Sequence, residues 1–153
     1  MLKSISYLML CTIIAYTQSV GITSTQMEAN QTANIISFVG DAKVKQGDSW
    51  IFADKIVVHF DENNQTKSYN AIGNVRFEFI KEKSHYKGKA KELVYKPLKE
   101  QYVLIGNAYI DDLLNKRTIK GDEITLDMTT GNANVKGSRK KPVKFIFETE
   151  NKK

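Results

Sequence analysis

From Ile36 onward, apolar and polar residues alternate with a period of two. Ile36, Phe38, Gly40, Ala42 and Val44 share one phase, while Ser37, Asp41, Lys43 and Lys45 take the other. That alternation predicts a strand with one buried face, and Gln46-Gly47-Asp48 predicts the turn that follows. Trp50 to Phe60 continues the pattern, with Ile56, Val58 and Phe60 inward and Lys55 and His59 outward. Asp54 shares the inward phase and is expected at a rim. Further on, Val75, Phe77 and Phe79 alternate with Arg76 and Glu78, and Leu93 and Tyr95 alternate with Val94 and Lys96. Pro97 then stops the strand, because proline cannot donate to a ladder. Tyr102, Leu104, Ala108 and Ile110 form another apolar set, followed by an Asp111 to Asn115 loop and then Ile124, Leu126 and Met128. Val143, Phe145 and Phe147 predict a last strand behind Pro142, and the polar stretch from Ile22 to Asn30 predicts a ragged first one. After residue 20 no segment carries a helical period, so the expected class is all-β.

The strands are copies of one another. Phe38-Val39-Gly40-Asp41-Ala42 returns as Ala71-Ile72-Gly73-Asn74-Val75 and as Leu104-Ile105-Gly106-Asn107-Ala108, with Asn134-Val135-Lys136-Gly137 as a truncated fourth. The glycines step by 33, 33 and 31 residues. Each full copy is followed by a second recurring phrase: Ala53-Asp54-Lys55-Ile56, Ala90-Lys91-Glu92-Leu93 and Gly121-Asp122-Glu123-Ile124. A period of this length signals stacked supersecondary units that bury one core together. Glycine weakens the middle of a strand, so its recurrence at one position predicts a bend or a close backbone approach. Bends in register across layers make a curled or V-shaped sheet pair.

Residues 1–19 stand apart from this pattern. Lys3 and the apolar run Ile5 to Ala15 read as an export signal, with Thr17-Gln18-Ser19 before the expected cleavage; an uncleaved anchor is the alternative. Cys11 lies in that run behind Leu10, which is not the small residue a lipoprotein signal places there. The remaining domain, 20–153, has no cysteine and therefore no disulfide or thiol chemistry. Losing Lys3 lowers the formal net charge from +6 to +5, an excess that fits either a solvated surface or anionic partners such as phosphorylated glycolipids. Nucleic acid is not expected of an exported chain without clustered basic and aromatic residues.

Catalytic chemistry is hard to find. His59 and His85 fall in different units, so no metal site is expected. There is no G-x-S-x-G motif and no phosphate-binding glycine loop. Asp111-Asp112 and Asp122-Glu123 are adjacent, and neighbours in a strand point to opposite faces. The chain reads as a non-enzyme. The aromatic-rich apolar face is either a closed core or the wall of an apolar trough, and periodicity does not separate the two.

Ile51-Phe52-Ala53-Asp54-Lys55-Ile56-Val57-Val58, Leu104-Ile105-Gly106-Asn107-Ala108-Tyr109-Ile110 and Ile119-Lys120-Gly121-Asp122-Glu123-Ile124 follow the opening Phe38 to Val44 phrase in order. Together they resemble the periplasmic lipopolysaccharide-transport protein A (LptA/OstA-like) family over about Ile22 to Phe147. The resemblance implies a β-jellyroll of two V-shaped, mostly antiparallel sheets. It implies a periplasmic bridge, without cofactor, that passes lipopolysaccharide from an inner-membrane extraction complex to an outer-membrane assembly complex. It also implies head-to-tail self-association, mapped here to edges at Ile22 to Val44 and Asn134 to Phe147. The groove residues expected from the inward phase and this resemblance are Phe38, Val44, Phe52, Ile56, Val58 and Phe60 in the first unit, then Val75, Phe77, Phe79, Leu93 and Tyr95. Leu104, Ile124, Leu126 and Phe145 complete them. A membrane-anchored jellyroll of the same pathway, a structural β-repeat protein without lipid cargo, and a carbohydrate-binding jellyroll with aromatics at its loop tips are the competing readings.

Overall fold

The alternating segments fold as one continuous antiparallel sheet with a crease across it. The computed structural model describes residues 19–150, so the expected export signal lies outside the described residues except for Ser19. The strands are β1 (Val20–Thr23), β2 (Gln26–Asn30), β3 (Ile35–Gln46), β4 (Ser49–Phe60), β5 (Thr66–Lys81), β6 (Ser84–Lys96), β7 (Gln101–Asp112), β8 (Arg117–Asp127), β9 (Ala133–Lys136) and β10 (Lys144–Phe147). A 3-10 turn, Pro97–Lys99, separates β6 from β7, so Pro97 does end its strand. The sheet order is β1-β3-β4-β5-β6-β7-β8-β10, with β2 also on β3 and β9 also on β8. The sheet does not close on itself.

The crease comes from the repeats. In each hairpin the first recurring phrase faces the second: Gly40-Asp41 stands opposite Asp54, Gly73-Asn74 opposite Lys91, and Gly106-Asn107 opposite Asp122. Two residues against one is a β-bulge, which bends the strand and sharpens its twist. Both residues of each pair are left-handed, at φ +85 and +44 for Gly40 and Asp41, +84 and +48 for Gly73 and Asn74, and +84 and +46 for Gly106 and Asn107. Asn and Asp tolerate that region better than other side-chain-bearing residues. The first position also lacks space, since a Cβ on Gly73 would sit 2.5 Å from Asp54 Oδ2. The fourth copy makes no such bulge, because β9 ends at Lys136 before Gly137.

These bulges divide every long strand between two leaves. The ladder Glu28–Ser37–Val57–Asn70–Val94–Val103–Thr125–Asn134 belongs to leaf A, bordered by β2 and β9. The ladder Thr23–Lys43–Phe52–Arg76–Lys89–Tyr109–Lys120–Lys144 belongs to leaf B, bordered by β1 and β10. The predicted ragged first strand is therefore two short strands, one on each leaf. Within the N-terminal edge expected at Ile22 to Val44, β2 covers Ile35 to Val39. The unpaired edges lie one strand further out.

The bulge also corrects the inward phase of β4. The buried residues are Ile51 and Ala53 before the crease and Ile56 and Val58 after it, a step of three that reverses the parity. Phe52 thus falls on the outer face of leaf B under Arg76, and Asp54 is exposed at the crease. β6 and β8 reverse in the same way, from Ala90 to Leu93 and from Gly121 to Ile124. The core fills the space between the leaves, with Phe77, Ile56, Leu93, Leu104, Ile110, Ile124 and Val75 fully buried.

Candidate functional site

The interior between the leaves is built from side chains that the ladder period turns inward. Of the expected groove residues, Val44, Ile56, Val58, Val75, Phe77, Phe79, Leu93, Leu104 and Ile124 lie in one buried apolar cluster, and Phe38, Phe60 and Tyr95 pack partly buried against it. Leu126 is buried as well, paired across the ladder with Tyr102. Phe145 is 52% exposed and pairs with Ile119, whose side chain packs on the cluster. It occupies the inner side of leaf B at its C-terminal edge, against Phe147 at 5.5 Å between ring centroids. Phe145 stays outside the buried cluster, and Phe52 lies on the opposite face of the sheet.

Away from the crease the leaves meet through an aromatic column. Phe77 and Phe79 of leaf B stack at 4.5 Å, Phe79 meets Tyr102 of leaf A at 4.2 Å, and Tyr102 stacks on Tyr95 at 4.4 Å. Tyr69 continues the column 5.9 Å beyond Tyr95. Outside it, an exposed Lys81–Glu100 ion pair of 3.6 Å spans the gap between the leaves; at that exposure it contributes little. Beside the column, towards β1, opens a cavity of about 260 Å³ lined by Val20, Val44, Ile51, Tyr69, Phe79, Tyr95 and Tyr102, with Gln46, Ser49 and Thr66 among its polar residues.

The electrostatics of this cavity are neutral. Burial pushes the Tyr102 phenol far above its ordinary value, and burial likewise raises Tyr95. Both rings therefore keep their protons at any physiological pH. Among the described residues, no Lys, Arg, Asp or Glu lines the cavity. Such a site can take up an apolar chain, and it offers no charged clamp. Elsewhere, His85 Nε2 lies 2.8 Å from Glu78 Oε1 on the outer face of leaf B. Among the described residues, no three His, Cys, Asp or Glu side chains come together as metal ligands.

Sequence reasoning missed Tyr69, Ile51 and Val20 as lining residues, and left Tyr102 out of the groove although its phase placed it on an apolar face. The bulges supply the signal for Ile51: once Ala53-Asp54-Lys55 reverses the parity, Ile51 turns inward and Phe52 out. Tyr69 and Ala71 keep phase with Val75 because Gly73-Asn74 inserts an extra residue in β5. Val20 carries no periodic signal of its own.

Residues 21–132 match the family described as LptA/(LptD N-terminal domain) LPS transport protein. The chain belongs to this family. The lipopolysaccharide export system proteins LptA of Escherichia coli K12 and of Shigella flexneri are each 32% identical to it over 111 residues, which is 71% of this chain and 59% of the relative. The chain thus matches about three fifths of the length of these relatives. The crystal structure of LptH from Pseudomonas aeruginosa, described as the LptA-homologous periplasmic component of the lipopolysaccharide transport device, superposes with a TM-score of 0.75 at 17% identity. That match covers 86% of this chain and 96% of LptH, and it shows the same LptA-like β-jellyroll fold.

Proposed function

We propose that this LptA-family chain is a periplasmic lipopolysaccharide-binding bridge, passing lipopolysaccharide from an inner-membrane extraction complex to an outer-membrane assembly complex without catalysing a reaction. The observation that carries the reading is an apolar, uncharged interior between two leaves whose edge strands are left open, in a chain of a family described by lipopolysaccharide transport. Residues 1–19 act as the export signal. Burying acyl methylenes is worth about 0.8 kcal/mol each, so a chain of about a dozen carbons is held by about 10 kcal/mol relative to water. Release of such a lipid into the aqueous periplasm is therefore slow, whereas sliding between successive apolar interiors avoids that step. The energy comes from a partner, since the sequence holds no phosphate-binding glycine loop.

Successive interiors require head-to-tail self-association. Among the described residues, β1 and β2 at one end and β9 and β10 at the other each present an unpaired edge, and such edges accept a further strand. Unlike ends joined this way give open filaments rather than closed dimers. A photo-reactive residue placed at Val44 or Phe79, both on the cavity, should capture lipopolysaccharide in cells, while one at exposed Lys55 should not. Absence of capture from both cavity positions in folded protein would refute the reading. Mass spectrometry should find the mature chain starting at or near Val20, and an intact Met1 on membrane-bound protein would favour an anchored homologue.

A further inference from the structure

The outer face of leaf B carries a feature that the apolar interior does not use. One cross-strand row runs Lys43, Phe52, Arg76, Lys89, Tyr109, Lys120, Lys144 through consecutive ladder pairs. Cations and aromatic rings are interleaved along it. Arg76 lies 5.0 Å from the Phe52 ring centroid, and Lys89 and Lys120 flank the Tyr109 ring at 5.8 and 5.3 Å. At about 4.8 Å per strand the row is roughly 29 Å long.

Its charge is uncompensated. Among the described residues, Lys43, Arg76, Lys89, Lys120 and Lys144 form no ion pair. Of the nearby carboxylates, Asp122 lines the same groove without an ion pair, and two others are engaged elsewhere. Glu78 is held by His85 at 2.8 Å and Lys87 at 3.9 Å, and Asp111 accepts from Tyr109 Oη and Thr118 Oγ1, each at 2.7 Å. Arg76 pairs directly with Lys89, and Lys120 with Lys144. Like charges directly opposite one another on a sheet repel, so the fold alone gains nothing from this arrangement. Leaf A differs: its corresponding row next to the crease reads Val39, Lys55, Ile72, Glu92, Ile105, Glu123, Lys136, with two cations against two carboxylates.

We propose that the leaf B row binds an anionic, phosphate-bearing saccharide chain, independently of the apolar interior. Arg76, Lys89 and Lys120 of the row line a groove of about 690 Å³, whose walls also include Trp50, Tyr109, Lys141 and the single carboxylate Asp122. Lys141 is brought there by donating to Asn107 Oδ1 at 3.3 Å. A line of charge in a groove suits a linear polyanion better than a planar bilayer. The Phe52, Trp50 and Tyr109 rings add flat apolar surfaces on which the C–H faces of sugar rings can rest.

The test uses the mature full-length protein and a fluorescent, acyl-free phosphorylated oligosaccharide, titrated by anisotropy. Binding should weaken steeply with added salt, because the contacts are exposed charges. The double variant Arg76→Gln/Lys89→Gln should lose at least about tenfold in affinity. Lys55→Gln/Lys96→Gln, which removes the same charge from leaf A, should match the parent protein. Circular dichroism checks that both variants fold, and lipid capture by the interior should be the same in both, which separates failure here from failure of the bridge reading. Equal loss in the two double variants would reduce the effect to net charge and overturn the proposal. So would tighter binding of phosphatidylglycerol vesicles or single-stranded DNA than of the saccharide, pointing to a membrane surface or a nucleic acid instead.

Discussion

Replacing Gly73 by alanine tests the crease at its most constrained point. Two separate costs follow from the geometry. Gly73 sits at φ +84, and a residue with a Cβ pays about 1–2 kcal/mol in the left-handed region. The new Cβ would also meet Asp54 at 2.5 Å from Oδ2 and 3.1 Å from its Cβ and Cγ. Asp54 must rotate away, giving up the hydrogen bond that Asn74 Nδ2 donates to it at 3.0 Å, worth about 0.5–1.5 kcal/mol. The expected destabilisation is about 1.5–3.5 kcal/mol, against a typical total of about 5–15, with a fall in Tm of roughly 4–10 °C. Urea unfolding followed by far-ultraviolet circular dichroism and by the fluorescence of Trp50 measures it. Adding Asp54→Gly to Gly73→Ala should recover the steric part and leave the backbone part. Gly21→Ala, at a glycine with nothing within 4 Å of a built Cβ, should change stability by less than about 0.5 kcal/mol. A Gly73→Ala protein as stable as the parent would refute the account of the crease.

Other outcomes follow from the same structure. Leu104→Ala, at a fully buried position, should cost about 2–5 kcal/mol in the same unfolding assay. Phe77→Asp puts a charge into the apolar interior and should abolish lipopolysaccharide capture, with circular dichroism separating loss of binding from loss of fold. Burial pushes the Asp112 carboxyl up, but hydrogen bonds from Arg117 and Asn115 outweigh it and hold the group below its ordinary value. A depressed carboxyl adds stability above its unfolded pKa of about 4 and loses it as pH falls through the folded value, so Asp112→Asn should flatten the acid limb of the stability–pH curve. Deleting residues 143–153, which removes β10, should stop concentration-dependent growth in light scattering and leave monomers.

The class, the hairpin repeat and the crease were legible because each has a local cause. Period-two alternation marks strands, and Gly40, Gly73 and Gly106 mark the bends, since only a residue without a side chain fits both the dihedral and the space. The assignment of Phe52 to the interior failed for an equally local reason. Extending one parity through Ala53-Asp54-Lys55 ignores the bulge, and a register change of one residue moves every later side chain to the other face. Ile51 was overlooked on the same account. The N-terminal edge was placed only broadly, at Ile22 to Val44, because β1 and β2 are short and polar, with no period to announce them. The basic row was invisible in one dimension. Lys43, Arg76, Lys89, Lys120 and Lys144 come from separate strands, and only the register aligns them.

The division of every long strand between both leaves makes the molecule resemble a bound book. Its spine is the line of bulges, and its pages cannot be torn apart without breaking the chain itself. At the fore-edge the covers are held by side chains alone: the Phe79–Tyr102 contact and the Lys81–Glu100 ion pair. Parting the covers there would slide rings past one another rather than break a ladder, which would give the lipid proposed above a sideways route that needs no threading.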